Sequence, residues 1–159
     1  MTLRAGSQVD ATDYDLPLVV TAFGNGLNTV TSTTFAVLPT TTCTAAITNP
    51  HPTATLLCLV HYGAWMAVTA GGADARIAVD ISGSVTIAAG IGGGGAIGYG
   101  EIPICSTTPS DQFSAVITVE LPPSATAATF KVYSMRSAAS GTQSVNYPTL
   151  RLVPLYYLL

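Results

Sequence analysis

The chain has 159 residues, which is enough for one domain with a hydrophobic core and too few for two domains of ordinary size. Charged residues make up only 8% of it, against about 25% in an average globular protein, and the formal net charge is −3. With five basic residues, no apolar run as long as a membrane-spanning helix and no signal-peptide core, the sequence argues against nucleic acid or a membrane as a partner.

The residue types along the chain favour β-strands throughout. Threonine, valine, isoleucine and tyrosine are frequent, and no segment keeps a helical period for more than a turn or two. Glycine, proline, serine and asparagine separate the predicted strands, which are 18–23, 29–38, 42–48, 53–68, 75–83, 84–89, 97–105, 113–121, 128–137 and 148–159. About eight to ten strands at this spacing predict an all-β fold. We expect an antiparallel two-sheet β-sandwich or jelly roll over 17–159, preceded by an extended N-terminal arm over 1–16.

The segment TATLLCLVHYGAWMAV, at 53–68, is the most apolar of the predicted strands. Apolar side chains occupy both of its faces, so we expect both faces to be covered. With so few charged residues, the chain must also carry apolar side chains on its surface, and these would be exposed to water unless something covers them. Because the centres of protein interfaces are depleted in charge, the simplest cover is a neighbouring chain.

The glycine-rich segment at 87–100 contains the spacing of a dinucleotide-binding loop, since Gly90, Gly92 and Gly95 match G-x-G-x-x-G. Such a loop must follow a strand and open a helix whose N-terminus holds the pyrophosphate. Here more glycines and a proline follow, and the Lys-Ser/Thr pair of a Walker loop is absent. We interpret the segment as a hairpin tip or a place where two backbones approach closely.

Other candidate groups for chemistry are sparse. His51 lies in a predicted NPHP loop, and His61 lies in the apolar strand on the same face as the single tryptophan. No partner for acid–base catalysis is near His61 in sequence, so we interpret it as a core or interface histidine rather than a general base or pH switch. The acidic residues Asp10, Asp13 and Asp15 lack the ligand run of a calcium loop and are typical of a solvated or partner-facing arm. We therefore assign no catalytic residue, metal site or cofactor and do not expect an enzyme.

The cysteines and the C-terminus are both predicted to be packed. Cys43, Cys58 and Cys105 are an odd number without C-x-x-C spacing, which favours reduced, buried thiols of a protein that folds in a cytoplasm. The chain ends with Tyr156–Tyr157 and two leucines. An apolar end of this kind should be a strand of the sheet or lie against another subunit.

Three stretches resemble small structural proteins of tailed bacteriophages, particularly those that infect actinobacteria. They are TLRAGSQVDATDYDLP, TSTTFAVLPTTTCTAAITNPHPTATLLCLVHYGAW and ATFKVYSMRSAASGTQSVNYPTLRLVPLYYLL. The first is similar to a common opening of such virion proteins. The second is similar to a T-T-x-F-x-x-L-P strand before a long apolar strand, and the third to the paired strands that close their jelly rolls.

This resemblance implies a non-catalytic virion protein that is assembled in the host cytoplasm, often as a homotrimer. The leading expectation is a capsid decoration (cement) protein that binds the major capsid protein and stabilises the lattice. The alternative is a minor tail or receptor-binding protein that binds tail proteins, for which Tyr14, Tyr99 and Tyr147 are the loop aromatics that a sugar site could use. A more distant alternative is a small β-barrel ligand-binding protein or enzyme, whose metal chemistry would need three or four converging ligands.

On the leading expectation, the long apolar strand lies near a three-fold axis and the arm binds the lattice. The predicted oligomer interface is formed by Leu57, Leu59, His61 and Trp65. The residues of the arm predicted to bind the lattice are Leu3, Arg4, Val9, Asp13, Tyr14 and Leu16.

Overall fold

A computed structural model of the chain describes residues 16–40, 42–69, 74–87, 104–105, 110–123 and 126–158, with the backbone alone at 104–105. All regular structure within these ranges is β-strand, in nine strands. They are β1 (Val20–Phe23), β2 (Ala36–Val37), β3 (Thr44–Ile47), β4 (Thr55–Val68), β5 (Ala75–Gly83), β6 (Ile104–Cys105), β7 (Asp111–Leu121), β8 (Ala128–Arg136) and β9 (Gln143–Leu158). Two antiparallel sheets enclose one core, which confirms the predicted all-β sandwich. Over the same ranges no helix has the length and apolar character needed to span a bilayer.

The first sheet has four strands in the order β1-β9-β4-β7. In the second sheet the order is β2-β8-β5-β6, and β3 pairs with β8 as well. The centre of the first sheet is β4, which pairs with β7 from Leu56 to Met66 and with β9 from Thr55 to Val68. The most apolar of the predicted strands is thus paired on both of its edges.

The core lies between the two sheets and follows a period of two along each strand. The even-numbered side chains of β4 from Leu56 to Val68 are all buried. From the other sheet, Ile77, Val79 and Ile81 of β5 point inward, while Arg76, Asp80 and Ser82 are partly or fully exposed. That alternation was predicted from the sequence, and it is confirmed. The sequence predicts that both faces of β4 are covered. Within this chain the odd-numbered face is only partly covered, since most of its side chains are partly or fully exposed.

Two of the predicted strands are much shorter than expected. Within 29–38 only Ala36–Val37 is a strand, because the Ser32 hydroxyl accepts a hydrogen bond from the Thr34 amide at 3.2 Å and donates one to the Thr34 carbonyl at 2.6 Å. Such local bonds compete with the ladder of a sheet. In 84–87 only Ile87 pairs, through two bonds of 2.8 Å with Ile81, and 88–89 lie outside the described residues.

The last strand begins earlier than predicted. β9 starts at Gln143 rather than at 148, and it carries Pro148 in its interior. A register shift there lets the strand continue past the proline, whose carbonyl accepts a hydrogen bond from the Gly24 amide at 2.8 Å. The apolar C-terminus is a strand of the sheet as far as Leu158, as predicted.

The buried cysteines provide a test of the packing. Cys43 and Cys58 are free thiols with no exposed surface, as predicted, and burial raises the pKa of each from 9.0 to about 11. The fold favours the neutral thiols, so their contribution to stability is complete below about pH 9 and is lost as the pH rises from 9 to 11. At pH 8, a chain with Cys105→Ser should react with a thiol reagent at least about 100-fold more slowly when folded than in urea. Equal rates in the two conditions would contradict the burial of these thiols.

Candidate functional site

The outward face of the first sheet and the segments beside it carry most of the exposed apolar surface that the structure describes. Of the large hydrophobic side chains exposed in the described ranges, all but Val37 lie on this sheet or on the segments next to β1. They are Leu16, Leu18, Val19, Phe23, Leu27, Trp65, Val116, Tyr147, Leu155, Tyr156 and Leu158. Large exposed apolar surfaces of this kind mark interaction sites.

The four residues predicted to form the oligomer interface all lie on this outward face. Leu57, Leu59 and His61 are half-buried, and Trp65 is exposed. The set is divided, however, because Gly63 separates His61 from Trp65 and leaves a gap in the row of side chains. Leu59 and Trp65 are about 20 Å apart along the strand, at about 3.4 Å per residue. The structure therefore places the two leucines and the tryptophan in different parts of one face.

The leucines belong to an apolar area that we call the outer patch, which consists of Leu57, Leu59, Val116, Val153 and Tyr156. The register of the sheet places Tyr156 beside Leu57 and Val153 beside Leu59, while Val116 lies opposite His61 on the other neighbouring strand. Charged groups are at its border, with Glu120 opposite Leu57 and Arg151 opposite His61. An apolar centre with a polar border is the usual arrangement of a protein interface.

The outward face of the second sheet has a different character. Asp80 and Lys131 are cross-strand partners on it, and Arg76 makes an ion pair with Asp74 at 3.2 Å. Such partly exposed polar pairs are well solvated and do not need a partner chain. Among the residues that the structure describes, the two outer faces of the sandwich thus differ, and only that of the first sheet has the composition of an interface.

The other end of the first sheet contains a cavity of about 430 Å³, which we call the Trp65 pocket. Its lining residues are Leu27, Trp65, Gln112, Tyr147 and Thr149. Of these, sequence reasoning named Trp65 as an interface residue and Tyr147 as a loop aromatic, and it missed the others. The volume lies within the range of about 300–1,000 Å³ that is usual for small-molecule sites.

An irregularity in β9 creates one wall of this pocket. Gly63 pairs with Thr149 and Trp65 with Asn146, so three steps along β9 match two steps along β4. Tyr147 lies within this bulge and has a φ of +49°, and no other non-glycine residue in the described ranges has a positive φ. Backbone conformations of this kind are costly for a tyrosine and cluster at functional sites.

Hydrogen bonds to the loop after β1 hold the opposite wall. The Tyr147 amide donates to the Gly26 carbonyl at 3.3 Å, and the Asn28 amide donates to Oδ1 of Asn146 at 2.9 Å. The Val145 amide donates to the Asn28 carbonyl at 2.9 Å. Asn28 and Asn146 are both buried, so these bonds are shielded from water. Leu27, between the two bonded residues, is therefore held in its place in the lining of the pocket.

Beside the pocket, β4 and β7 approach each other closely at Gly63. A Cβ at this position would lie 2.8 Å from the Phe113 carbonyl oxygen and 3.0 Å from Cβ of Ser114. The Thr149 hydroxyl donates a hydrogen bond to the Gly63 carbonyl at 3.3 Å, which leaves its oxygen free to accept one. Only a residue without a side chain allows β7 to approach β4 this closely beside Trp65.

His51 has a structural role, and the described part of the chain contains no group of candidate metal ligands. Nδ1 of His51 accepts hydrogen bonds from the amides of Thr53 at 3.2 Å and Ala54 at 2.8 Å, and its ring lies 4.8 Å from that of Tyr157. This histidine therefore holds a turn. Among the described residues, no three His, Cys, Asp or Glu side chains come together in a group able to hold a metal ion.

Several predictions concern residues outside those that the structure describes. These are the arm residues 1–15, including Leu3, Arg4, Val9, Asp13 and Tyr14, together with Gly90, Gly92, Gly95 and Tyr99. Leu16, the last residue of the predicted arm, is described and exposed.

No protein-family model matches the chain, and no curated protein matches it in sequence. Among solved structures it is similar to a family two carbohydrate esterase from Cellvibrio japonicus, with 12% identity over 89% of this chain and 36% of that chain and a TM-score of 0.29. It is also similar to a xylan-binding domain from Paenibacillus barcinonensis, with 11% identity over 86% of this chain and 87% of that chain and a TM-score of 0.30. The chain therefore spans little more than a third of the esterase.

Proposed function

We propose that the chain is a non-catalytic structural protein of a tailed-phage virion, and that it decorates the capsid. It self-associates as a trimer, the state implied by the resemblance to phage structural proteins, and binds the major capsid protein. The virion assignment depends on the resemblance of three stretches of the sequence to phage structural proteins. The assembly role depends on the outer patch, which is the single structural observation that supports it best.

The outer patch suits a second copy of this chain for reasons of composition and extent. It spans three paired strands of one sheet, β7, β4 and β9. Its centre is apolar, and its border carries both an acidic and a basic residue, Glu120 and Arg151. Where two copies of this chain meet, the acidic border of one copy can face the basic border of the other. An interface of standard size covers about 800 Å² on each partner, which one face of a small sheet can supply.

Two variants with matched side chains test the assembly role. Val116→Lys places a charge in the outer patch, and Val37→Lys places the same charge on the second sheet; the two valines are 47% and 43% exposed. We expect the unchanged chain and Val37→Lys to be oligomeric by light scattering after size exclusion. Val116→Lys should weaken association by at least about 30-fold, the effect of a hot-spot residue, while the circular dichroism spectrum stays unchanged.

Counting copies in purified particles by cryo-electron microscopy tests the virion role. Hundreds of copies on the head support a decoration protein, and a few copies in the tail would assign the chain to the alternative. Deletion of 1–16 should leave the oligomer intact and abolish its attachment to the lattice. A monomeric unchanged chain, equal behaviour of the two lysine variants, or particles without this chain would overturn the proposal.

A further inference from the structure

We propose that the Trp65 pocket binds one residue of a neutral pyranose sugar. This site goes beyond the assembly role proposed above, because it lies at the opposite end of the first sheet from the outer patch. The inference depends on three features of the pocket: its aromatic walls, its uncharged polar groups and its rigid construction.

The walls suit the apolar face of a sugar ring. Trp65 and Tyr147 are both exposed, and both line the same cavity together with Leu27. Indole and phenol rings combine a flat apolar surface with a polar atom at one end, so they can pack against the C–H groups of a pyranose while remaining hydrated at the edge. Because this aromatic cavity is open to water in the free chain, an amphipathic ligand fits it better than a purely apolar one.

The polar groups suit hydroxyls and exclude charges. Gln112 lies directly opposite Trp65 on β7, and its side-chain amide carries both donors and an acceptor. The Thr149 hydroxyl is committed as a donor to Gly63, which leaves an acceptor for a sugar hydroxyl. None of the five lining residues carries a formal charge at neutral pH. A charged ligand would lose its hydration there without gaining a counter-charge.

The pocket is also preformed. Buried hydrogen bonds from Asn28 and Asn146 fix the loop that carries Leu27, and the bulge holds Tyr147 at a φ of +49°. A backbone conformation that is strained for tyrosine and yet fixed by its neighbours holds Tyr147 at the position from which its side chain lines the pocket. Preformed sites lose less conformational entropy when a ligand binds, which matters for a ligand as small as one sugar.

Fluorescence titration provides a direct test, because Trp65 is the single tryptophan of the chain and lines the pocket. The probes are the methyl pyranosides of glucose, galactose, mannose and arabinose, with glucuronate and glucosamine as charged counterparts and glycerol as a simple polyol. We expect at least one neutral pyranoside to give a saturable change with a dissociation constant on the order of 1 mM, as befits a ligand of this size. The charged counterparts should bind at least about tenfold more weakly, and glycerol should give no saturation.

Variants locate the binding. Tyr147→Ala should weaken it at least about tenfold and Gln112→Ala about fivefold, the loss of one hydrogen bond. Tyr156→Ala is the matched control, since Tyr156 is 53% exposed and Tyr147 is 52% exposed on the same sheet, and it should bind as the unchanged chain does. If Tyr147→Ala does not fold, Tyr147→Asn keeps a residue that tolerates positive φ and removes the ring.

The result is independent of assembly. Val116→Lys should still bind the sugar even when it is monomeric, so failure of the oligomer and failure of the pocket are separate outcomes. The inference is overturned if no neutral pyranoside saturates the signal below about 100 mM, a concentration far above the expected constant. It is also overturned if glucuronate binds as tightly as the neutral sugars, or if the Tyr147 and Gln112 variants bind like the unchanged chain.

Discussion

Replacing Phe130 with alanine should lower the free energy of unfolding by about 3–5 kcal/mol, which is a large part of the stability of a domain of this size. Phe130 is the largest of the side chains with no exposed surface, and it lies in β8 between Ala45 of β3 and Ile81 of β5. Its removal takes away the transfer free energy of the ring and leaves a cavity between two sheets that cannot close fully. Urea unfolding followed by circular dichroism measures the change.

Phe23→Ala is the control for this experiment. Phe23 has 73% of its surface exposed, on the outward face of the first sheet, whereas Phe130 has none. Substitutions at exposed sites change stability by about 0.5 kcal/mol or less. If the two variants unfolded at the same urea concentration, the separation of core face and outward face described above would be wrong.

The sequence predicted the strands whose two faces differ. In β5, apolar residues at Ile77, Val79 and Ile81 alternate with Arg76 and Asp80, so the period of two identified both the strand and its inward face. The structure has the same alternation. The ends at glycine and proline were also informative, since β5 ends at Gly83 and β7 is followed at once by Pro122.

In β4 the sequence could not distinguish the inward face from the outward one. Leucines occur on both, with Leu56 buried in the core and Leu57 in the outer patch. The choice depends on register: pairing with β7 and β9 fixes which side of the whole sheet faces β5 and β8. Hydrophobicity alone carries no such information when both faces are apolar.

The Trp65 pocket was beyond sequence reasoning because its parts come from distant segments. Asn28 and Asn146, whose bond holds the two walls together, are 118 positions apart. The bulge that contains Tyr147 arises where β9 passes Pro148 beside a neighbouring strand, and nothing local sets that register. The one available signal was Pro148 inside an otherwise strand-forming segment, since proline in a strand interior marks an edge or a bulge.

Gly83→Ala is expected to have the second-largest effect, a loss of about 2–4 kcal/mol of folding free energy. Gly83 ends β5 with a φ of +100°, in a region that side chains rarely adopt. In addition, an added Cβ would overlap the Ala127 carbonyl oxygen and approach the Ala127 carbonyl carbon to 3.3 Å. Both contacts are with backbone, so neither neighbour can rotate away, and either the turn or the pairing of β5 with β8 must shift.

Gly141→Ala separates the two contributions to the loss of folding free energy, which are the unfavourable φ and the overlap with the Ala127 backbone. Gly141 also has a positive φ, +65°, but it lies exposed in the loop between β8 and β9. Its substitution should cost about 1–2 kcal/mol, the conformational penalty without the overlap. The difference between the two variants in urea unfolding then measures the clash with Ala127. If Gly83→Ala cost no more than Gly141→Ala, the close approach of the two backbones at the end of β5 would be disproved. The pairing of Gly83 with Ala128 would then also be in doubt, and with it the register between β5 and β8 that directs Ile77, Val79 and Ile81 into the core.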